Sequence, residues 1–178
     1  MQPQKMTVAF LGPHGTFTEQ AARRHFTELG TIFLPCRNIS DVFRRVVSGE
    51  ASFGVVPVEN SNEGPVNITL DLLLEHELRV CGEADLRIRH NLIVKPGTKT
   101  EEIQRVLSHP QALAQCRKFL QSKLPWAERV DASSTARAVE MLSETEGAAA
   151  IGTELAAERN GMEMLMRGIE DNPNNFTR

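Results

Sequence analysis

The sequence predicts an α/β protein in which two similar lobes share a central cleft. Short apolar segments rich in Val, Ile and Ala alternate with segments of helical period, as in mainly parallel sheets covered by helices. The 178 residues are 40% hydrophobic and 24% charged, which is typical of a globular chain with a substantial core. A weak internal repeat relates Ser40 to Glu59 with Thr135 to Glu154.

The repeat has two explanations. In each copy a helical segment, a turn, a buried strand and an acidic loop follow one another, at an offset of about 95 residues. True duplication and the general similarity of α/β units account for this equally well. Two lobes of this kind commonly bind a small ligand in a crevice at the carboxyl ends of their strands.

The predicted strands are short apolar runs bounded by turn-forming residues. They lie near Val8 to Leu11, Ile32 to Leu34, Gly54 to Val58, Val80 to Ala84, Asn91 to Val94, Arg105 to Leu107, Arg129 to Asp131, Ala148 to Ile151 and Met164 to Met166. Helices are predicted where apolar residues recur at helical spacing, and we assign these stripes to the core. The stripes are Val42, Phe43, Val46 and Val47, then Ala112, Cys116, Phe119 and Leu120, then Thr135, Ala138, Val139 and Leu142.

Composition argues against several classes of protein. The net charge is -3, the basic residues are dispersed, and aromatic residues make up only 5% with no Tyr, so we expect no nucleic-acid partner. Cys36, Cys81 and Cys116 lie far apart among apolar neighbours, which predicts buried free thiols. No apolar run approaches ~20 residues, and Met1 to Lys5 carries no signal core. We therefore expect a cytoplasmic protein without a membrane segment.

Gly12 to Glu19 follows the first strand and opens a helix. Backbone N–H groups at such a helix start favour anions, but the spacing fits neither a dinucleotide fingerprint nor a phosphate loop. Thr16 with Glu19 three residues later is also an ordinary capping box, so binding and capping remain equal explanations.

Two further segments offer polar groups at strand ends. Glu59, Asn60 and Ser61 follow a buried strand and mix a carboxylate with neutral donors, which suits a polar ligand better than a merely solvated loop. Ser108 is predicted as an N-cap with Gln111 completing its capping box.

The helix after Ser108 presents two amides on one face. Gln115 lies one turn beyond Gln111, so both are expected to face whatever lies over the helix start. His109 alone is weak evidence, and no nucleophilic triad can be assigned.

The last two segments are a helix start and a loop. Ser133 or Ser134 is predicted to cap the helix that begins near Thr135. Asp171 to Arg178 has a polar Asn-Pro character typical of a loop, and taken alone it would be a silent tail.

Together these segments resemble the prephenate dehydratase family, in the family's order and over nearly the whole chain. The matching motifs are GPxGTF at Gly12 to Phe17, ENSxxG at Glu59 to Gly64, SHPQ with QC at Ser108 to Gln111 and Gln115-Cys116, STAxA at Ser134 to Ala138, and the start of NxTRF at Asn175 to Arg178.

The resemblance implies two lobes like those of type II periplasmic binding proteins, with the active site in their cleft. We expect 1–78 plus 162–178 to form the first lobe and 79–161 the second. The Phe that completes TRF and the ACT regulatory domain are absent from these residues, so we expect a piece of a longer protein, and that protein is expected to be a homodimer or larger.

The resemblance also implies site roles. Thr177 would be catalytic, with Glu59 as a competing proton donor because a Thr hydroxyl is a poor acid. Substrate contacts are implied or expected for Asn60, Ser61, Thr16, Ser108, His109, Gln111, Gln115, Ser134 and Arg178. Neither cofactor nor metal is expected, since aromatisation drives the reaction.

The implied reaction converts prephenate to phenylpyruvate with loss of CO2 and water. Helix N-termini and Arg178 would anchor the two carboxylates, Arg178 on the pyruvyl side chain. Three alternatives stay open: arogenate as substrate, decarboxylation without aromatisation, and a non-catalytic carboxylate-binding module.

Overall fold

Strands and helices alternate along residues 5–178, which a computed structural model describes. The expectation that Met1 to Lys5 carries no signal core concerns, apart from Lys5, residues outside this range. The chain separates into two contact units: the first ends at Arg87 and takes up the chain again at Asn174–Arg178, and the second is Ile88–Pro173. Both units are mixed α/β, as the sequence predicts.

A three-stranded parallel sheet forms the centre of the first unit. Its strands are β1 (Thr7–Leu11), β2 (Ile32–Cys36) and β3 (Phe53–Val55), in the order β2-β1-β3. The alternation of side chains along β1 divides the core between the two faces of this sheet. Val8 and Phe10 pack with helix α1 (Phe17–His25), and Ala9 packs with helix α2 (Ile39–Val47).

Four two-residue strands form a second, antiparallel sheet in the same unit. They are β4 (Glu59–Asn60), β5 (Gly64–Pro65), β6 (Leu86–Arg87) and β12 (Phe176–Thr177), in the order β5-β4-β12-β6. Helix α3 (Asn67–Glu75) follows β5. The small sheet places the end of the chain between two segments from its first half.

A five-stranded sheet organises the second unit. Its strands are β7 (Asn91–Val94), β8 (Arg105–Ser108), β9 (Glu128–Asp131), β10 (Ala148–Gly152) and β11 (Glu163–Met166), in the order β11-β7-β10-β8-β9. β7 is antiparallel to both neighbours, whereas β8 is parallel to β9 and β10. Every residue of β7 and β10 is buried, which explains their continuous apolar runs.

Helices cover both faces of this sheet. They are α4 (Pro110–Gln115), α5 (Arg117–Lys123), α6 (Thr135–Met141) and α7 (Glu154–Asn160), with 3-10 turns at Thr100–Glu102 and Leu142–Glu144. One core cluster contains Leu92, Val94 and Leu120, and the other contains Ile93, Val139 and Ala150. None of the helices in residues 5–178 has the length and hydropathy to cross a membrane.

The helix predicted through Ala112 to Leu120 is interrupted at Cys116. Cys116 has φ -111° and ψ 18°, outside helical values. Asp171 accounts for the break: its backbone N–H donates to the Gln115 carbonyl at 2.7 Å, and its carboxylate accepts from the Lys118 N–H at 3.0 Å. One loop residue therefore terminates α4 and caps α5.

Two other predictions fail in the first unit, in the segment before Leu86. Val80 to Ala84, predicted as a strand, is irregular, and strand pairing begins only at Leu86. Cys81 is consequently exposed, whereas burial raises the pKa of the Cys36 and Cys116 thiols. The expectation of buried free thiols is confirmed for those two and is wrong for Cys81.

The unit boundaries also differ from the expected lobes. The expected first lobe included 162–178, but β11 pairs with β7 and so lies in the second unit. Only the short stretch from Asn174 onward belongs to the first unit. β11 is separated from its partner strand β7 by about 70 residues of sequence, so no local pattern reveals that the two strands pair.

Candidate active site

Thr177 is held beside Asn60 by the small sheet of the first unit. The two residues are paired across β4 and β12, with Asn60 Nδ2 2.7 Å from Thr177 Oγ1. Backbone bonds extend the pairing, since Arg178 N donates to Glu59 O at 2.9 Å. Two residues predicted for the site from distant segments are thus in direct contact.

The orientation of the Asn60 amide is set by its own turn. Its Oδ1 accepts from the backbone N–H groups of Asn62 at 2.9 Å and Glu63 at 3.2 Å. Because those partners are donors, the Oδ1 and Nδ2 atoms cannot exchange without losing both bonds. Asn60 therefore donates to Thr177, and the hydroxyl hydrogen of Thr177 has no acceptor among residues 5–178.

Ser61 and Asn175 fasten the end of the chain to this turn. The Ser61 hydroxyl accepts from Phe176 N at 2.9 Å and lies 3.3 Å from Asn175 Oδ1. Asn175 is 2% exposed, and its Oδ1 also accepts a hydrogen bond from Asn60 Nδ2 at 2.9 Å. We did not predict a role for Asn175, although it is the first residue of the matched NxTRF motif.

Arg178 and Glu59 are the charged groups next to Thr177. Arg178 Nε donates to Asp85 Oδ1 at 3.1 Å and lies 3.9 Å from Glu83 Oε2. The hydrogen bond that Arg178 donates to Asp85 raises the pKa of Arg178 further above its usual range. Glu59 is exposed, and its role as a competing proton donor stays a prediction.

Thr16 acts as the N-cap of α1, and Glu19 completes the loop around it. Thr16 Oγ1 accepts from Glu19 N at 3.3 Å and donates to Leu11 O at 3.0 Å. The Glu19 carboxylate is 0% exposed and accepts from Gly15 N at 2.6 Å and Arg23 Nε at 2.9 Å. The expected capping box is modified, since Glu19 reaches the N–H of Gly15, whose φ of 83° suits glycine alone.

The predicted N-cap of α4 is wrong by one residue. His109 is the N-cap, and its Nδ1 accepts from Gln111 N at 3.3 Å. Ser108 is the last residue of β8 and is fully enclosed, with its hydroxyl donating to Ile151 O at 2.8 Å. The hydroxyl of Ser108 is thus bonded to β10 and does not cap the helix.

Gln115 has a contact that we did not predict. It is the final residue of α4, and its Oε1 lies 2.8 Å from Nε2 of His90, a buried histidine that we did not predict. Gln111 is exposed in the first turn of the same helix, and a shared target of the two amides stays a prediction. Of the two predicted caps, Ser134 is the N-cap of α6, since its hydroxyl accepts from Arg137 N at 3.0 Å.

The candidates separate by unit. The first unit holds Thr16, Glu59, Asn60, Ser61, Thr177 and Arg178, and the second holds Ser108, His109, Gln111, Gln115 and Ser134. Within residues 5–178, no three His, Cys, Asp or Glu side chains are grouped closely enough to hold a metal ion.

A cavity of about 490 Å³ in the first unit reaches Thr177 and Arg178. Much of its wall is apolar, with Phe43 and Leu73 as examples, and it is formed by helices α1 to α3, strand β3 and the irregular segment Leu78 to Ala84. Two arginines, Arg79 and Arg178, also line it, so the wall combines an apolar surface with groups that can pair with a carboxylate.

These features define the class as a mixed α/β protein whose candidate site is a threonine hydroxyl oriented by an asparagine. The family model for prephenate dehydratase matches residues 8–178, and the chain belongs to the prephenate dehydratase family. The resemblance seen in the motifs is thereby confirmed.

Two solved structures and a curated protein illustrate the likeness. The bifunctional chorismate mutase/prephenate dehydratase of Stutzerimonas stutzeri is 50% identical over 175 residues, which are 98% of this chain and 48% of that protein. The prephenate dehydratase of Arthrobacter aurescens in complex with L-Phe is 38% identical with a TM-score of 0.86, covering 97% of this chain and 59% of that one. GqqA, described as a novel type of quorum quenching acylase, is 33% identical with a TM-score of 0.84, covering 96% and 61%. The chain spans about half the length of the curated relatives it matches.

Proposed function

We propose that this chain catalyses the decarboxylating dehydration of prephenate to phenylpyruvate, as a hydro-lyase of the cytoplasm. The ring carboxylate leaves as CO2, its bonding electrons enter the ring, and the ring hydroxyl departs as water after gaining a proton. Family membership supports the reaction class. The observation that carries the proposal is the donation from Asn60 Nδ2 to Thr177 Oγ1 at 2.7 Å.

Thr177 stabilises the departing oxygen in this proposal. Since its oxygen accepts from Asn60, its own hydrogen is directed to a different acceptor. A hydroxyl that accepts a hydrogen bond is polarised into a better donor. A donor aimed at an oxygen on which negative charge develops lowers the barrier by stabilising the transition state more than the ground state.

Arg178 binds the pyruvyl carboxylate. Asp85 engages its Nε, so the two terminal nitrogens of the guanidinium form the edge that pairs with a carboxylate. Tight binding of the ring carboxylate would oppose its loss, which is why we assign Arg178 to the side chain that remains. Ser108 and Gln115 are proposed as substrate contacts on the family resemblance alone, and the enclosure of Ser108 makes Gln115 the stronger of the two.

The test is to incubate the protein with prephenate and follow phenylpyruvate by its absorbance in alkali. Thr177→Ala is the matched control, since a contaminating dehydratase would contribute equally to both samples. Turnover by the wild type alone supports the proposal. Equal turnover by both proteins would contradict the assignment of the reaction to Thr177.

Three further measurements separate the alternatives. Phenylalanine from arogenate would indicate an arogenate dehydratase, and CO2 release without aromatic product would indicate decarboxylation alone. Thermal stabilisation by prephenate with no product would favour a binding module. The likeness to GqqA makes an acylase the second candidate, and an acylated substrate tested in parallel would reveal it.

A further inference from the structure

Ser61 extends the pairing between β4 and β12 with its side chain. Its backbone N–H donates to Phe176 O at 2.9 Å, and its Oγ accepts from Phe176 N at 2.9 Å. In a regular antiparallel pair of this kind, the backbone carbonyl of the facing residue accepts the second bond. The hydroxyl of Ser61 therefore takes the place of its own carbonyl, at the residue where the chain leaves β4 and enters a turn.

Two hydrogen-bonded pairs of residues bracket Thr177. On one side Arg178 N donates to Glu59 O at 2.9 Å, and on the other side lies the pair that contains Ser61. Thr177 and Asn60 between them form the type of facing pair that has no backbone bonds of its own, in which side chains approach most closely. This position explains why Asn60 Nδ2 lies only 2.7 Å from Thr177 Oγ1.

We propose that Ser61 is a positioning residue that holds the hydroxyl of Thr177 against Asn60, and that it does not contact the substrate itself. The inference rests on the proposed function for the role of Thr177. The Ser61 hydroxyl is engaged within the protein, because it accepts from Phe176 N and lies 3.3 Å from Asn174 O, an acceptor for its hydrogen. Without this hydroxyl, Phe176 N loses its acceptor and β12 can shift along β4.

The predicted effect is on the rate of the chemical step. A displacement of about 1 Å can cost a reacting group up to about 100-fold in rate, so we expect Ser61→Ala to lower kcat about tenfold. KM should change by less than about twofold, since Arg178 keeps its pairing with Glu59. Ser61→Thr keeps the hydroxyl and should retain kcat within about threefold of the wild type. A direct substrate contact would instead raise KM with kcat preserved, and that result would overturn the proposal.

Ser122→Ala is the matched control, because the hydroxyl of Ser122 in α5 also donates to a backbone carbonyl, that of Phe119, at 3.0 Å. It removes a similar bond in the second unit and should change neither kcat nor KM. In a Thr177→Ala background, Ser61→Ala should lower kcat by less than about twofold, because both changes act through one hydroxyl. A further loss of about tenfold in that background would overturn the proposal, as would equal kinetics for the wild type and Ser61→Ala.

Hydrogen exchange followed by NMR provides a measurement that needs no turnover. The backbone amide of Phe176 should exchange about threefold to tenfold faster in Ser61→Ala than in the wild type, because its acceptor is lost. Ser61→Thr and Ser122→Ala should leave that rate unchanged. Equal exchange in Ser61→Ala and the wild type overturns the inference even if the enzyme is active, whereas failure of the wild type to convert prephenate overturns only the proposed function.

Discussion

The amide nitrogen of Asn60 lies 2.7 Å from the hydroxyl oxygen of Thr177, a residue 117 positions later in the chain. The contact is oriented, because the amide oxygen of Asn60 is committed to the backbone of its own turn. It therefore leaves the hydroxyl of Thr177 as a donor toward a ligand. The predictions for this part of the site follow from that direction of donation.

Replacing Thr177 tests the donor itself. Thr177→Ala should lower kcat about 100-fold or more with little change in KM, as expected for a group that acts mainly in the transition state. Thr177→Ser keeps the hydroxyl and should retain kcat within about tenfold of the wild type. Steady-state kinetics with prephenate decide the matter, and wild-type turnover by Thr177→Ala would remove this residue from the mechanism.

Asn60→Asp reverses the direction of the bond while preserving the shape of the side chain. The carboxylate still accepts from Asn62 N, so the turn should form, but it now draws the hydroxyl hydrogen of Thr177 away from substrate. We expect kcat to fall about tenfold to 100-fold. Circular dichroism and the unfolding midpoint serve as controls, and an unchanged kcat would reduce Asn60 to a structural role.

The sequence predicted the buried strands well because each is a local feature. Asn91 to Val94 was predicted with the bounds that the structure shows, since a strand buried on both faces is a continuous apolar run. The two residues of β12 have no such pattern, and their structure depends on pairing with Asn60 more than a hundred residues away. Prediction of their environment from local sequence was therefore impossible.

His90 is different, because the sequence does contain a signal for it. Leu86, Ile88 and His90 are buried, whereas Arg87 and Arg89 between them are exposed. That alternation of period two places the histidine on the apolar face of an extended segment. We missed it because the segment was not predicted as a strand.

Arg178 is predicted to bind a carboxylate through its guanidinium edge. Arg178→Lys loses the two-pronged contact, so KM should rise about tenfold while kcat is largely preserved. Asp85→Asn should raise KM only about twofold to fivefold, because an exposed ion pair orients its arginine weakly. Arg167→Lys, at an exposed pair with Glu154 in the second unit, is the matched control and should change neither constant. An unchanged KM for Arg178→Lys would count against the assignment.

Glu19 is predicted to be a major determinant of stability in the first unit. Its enclosed carboxylate accepts hydrogen bonds from Gly15 N and from the guanidinium of Arg23. Glu19→Ala therefore leaves both donors without this acceptor. We expect the free energy of unfolding to fall by about 2 to 4 kcal/mol in urea titrations. Glu28→Ala at an exposed position should change it by less than about 0.5 kcal/mol. Equal losses for the two variants would show that the carboxylate of Glu19 is not needed.

His90 should make stability depend on pH. Its pKa lies below the ordinary 6.5 because burial opposes the charged form. Below pH 6.5 the unfolded chain binds a proton at this residue and the folded chain does not, so the free energy of unfolding decreases as the pH falls toward the folded pKa. The stabilising contribution is complete above the ordinary value, and its loss proceeds at up to about 1.4 kcal/mol per pH unit.

Comparison with His90→Gln isolates this effect from the other titrating groups, Glu170 among them. The free energy of unfolding of the wild type minus that of the variant should be constant above about pH 7.5 and should decline below about pH 6.5. Urea titrations at half-unit steps of pH measure both curves. If the two curves stay parallel from pH 8 to pH 5, the folded protein accepts a proton at His90 as readily as the unfolded chain does. The neutral imidazole would then not be the dominant form at the lower end of that range.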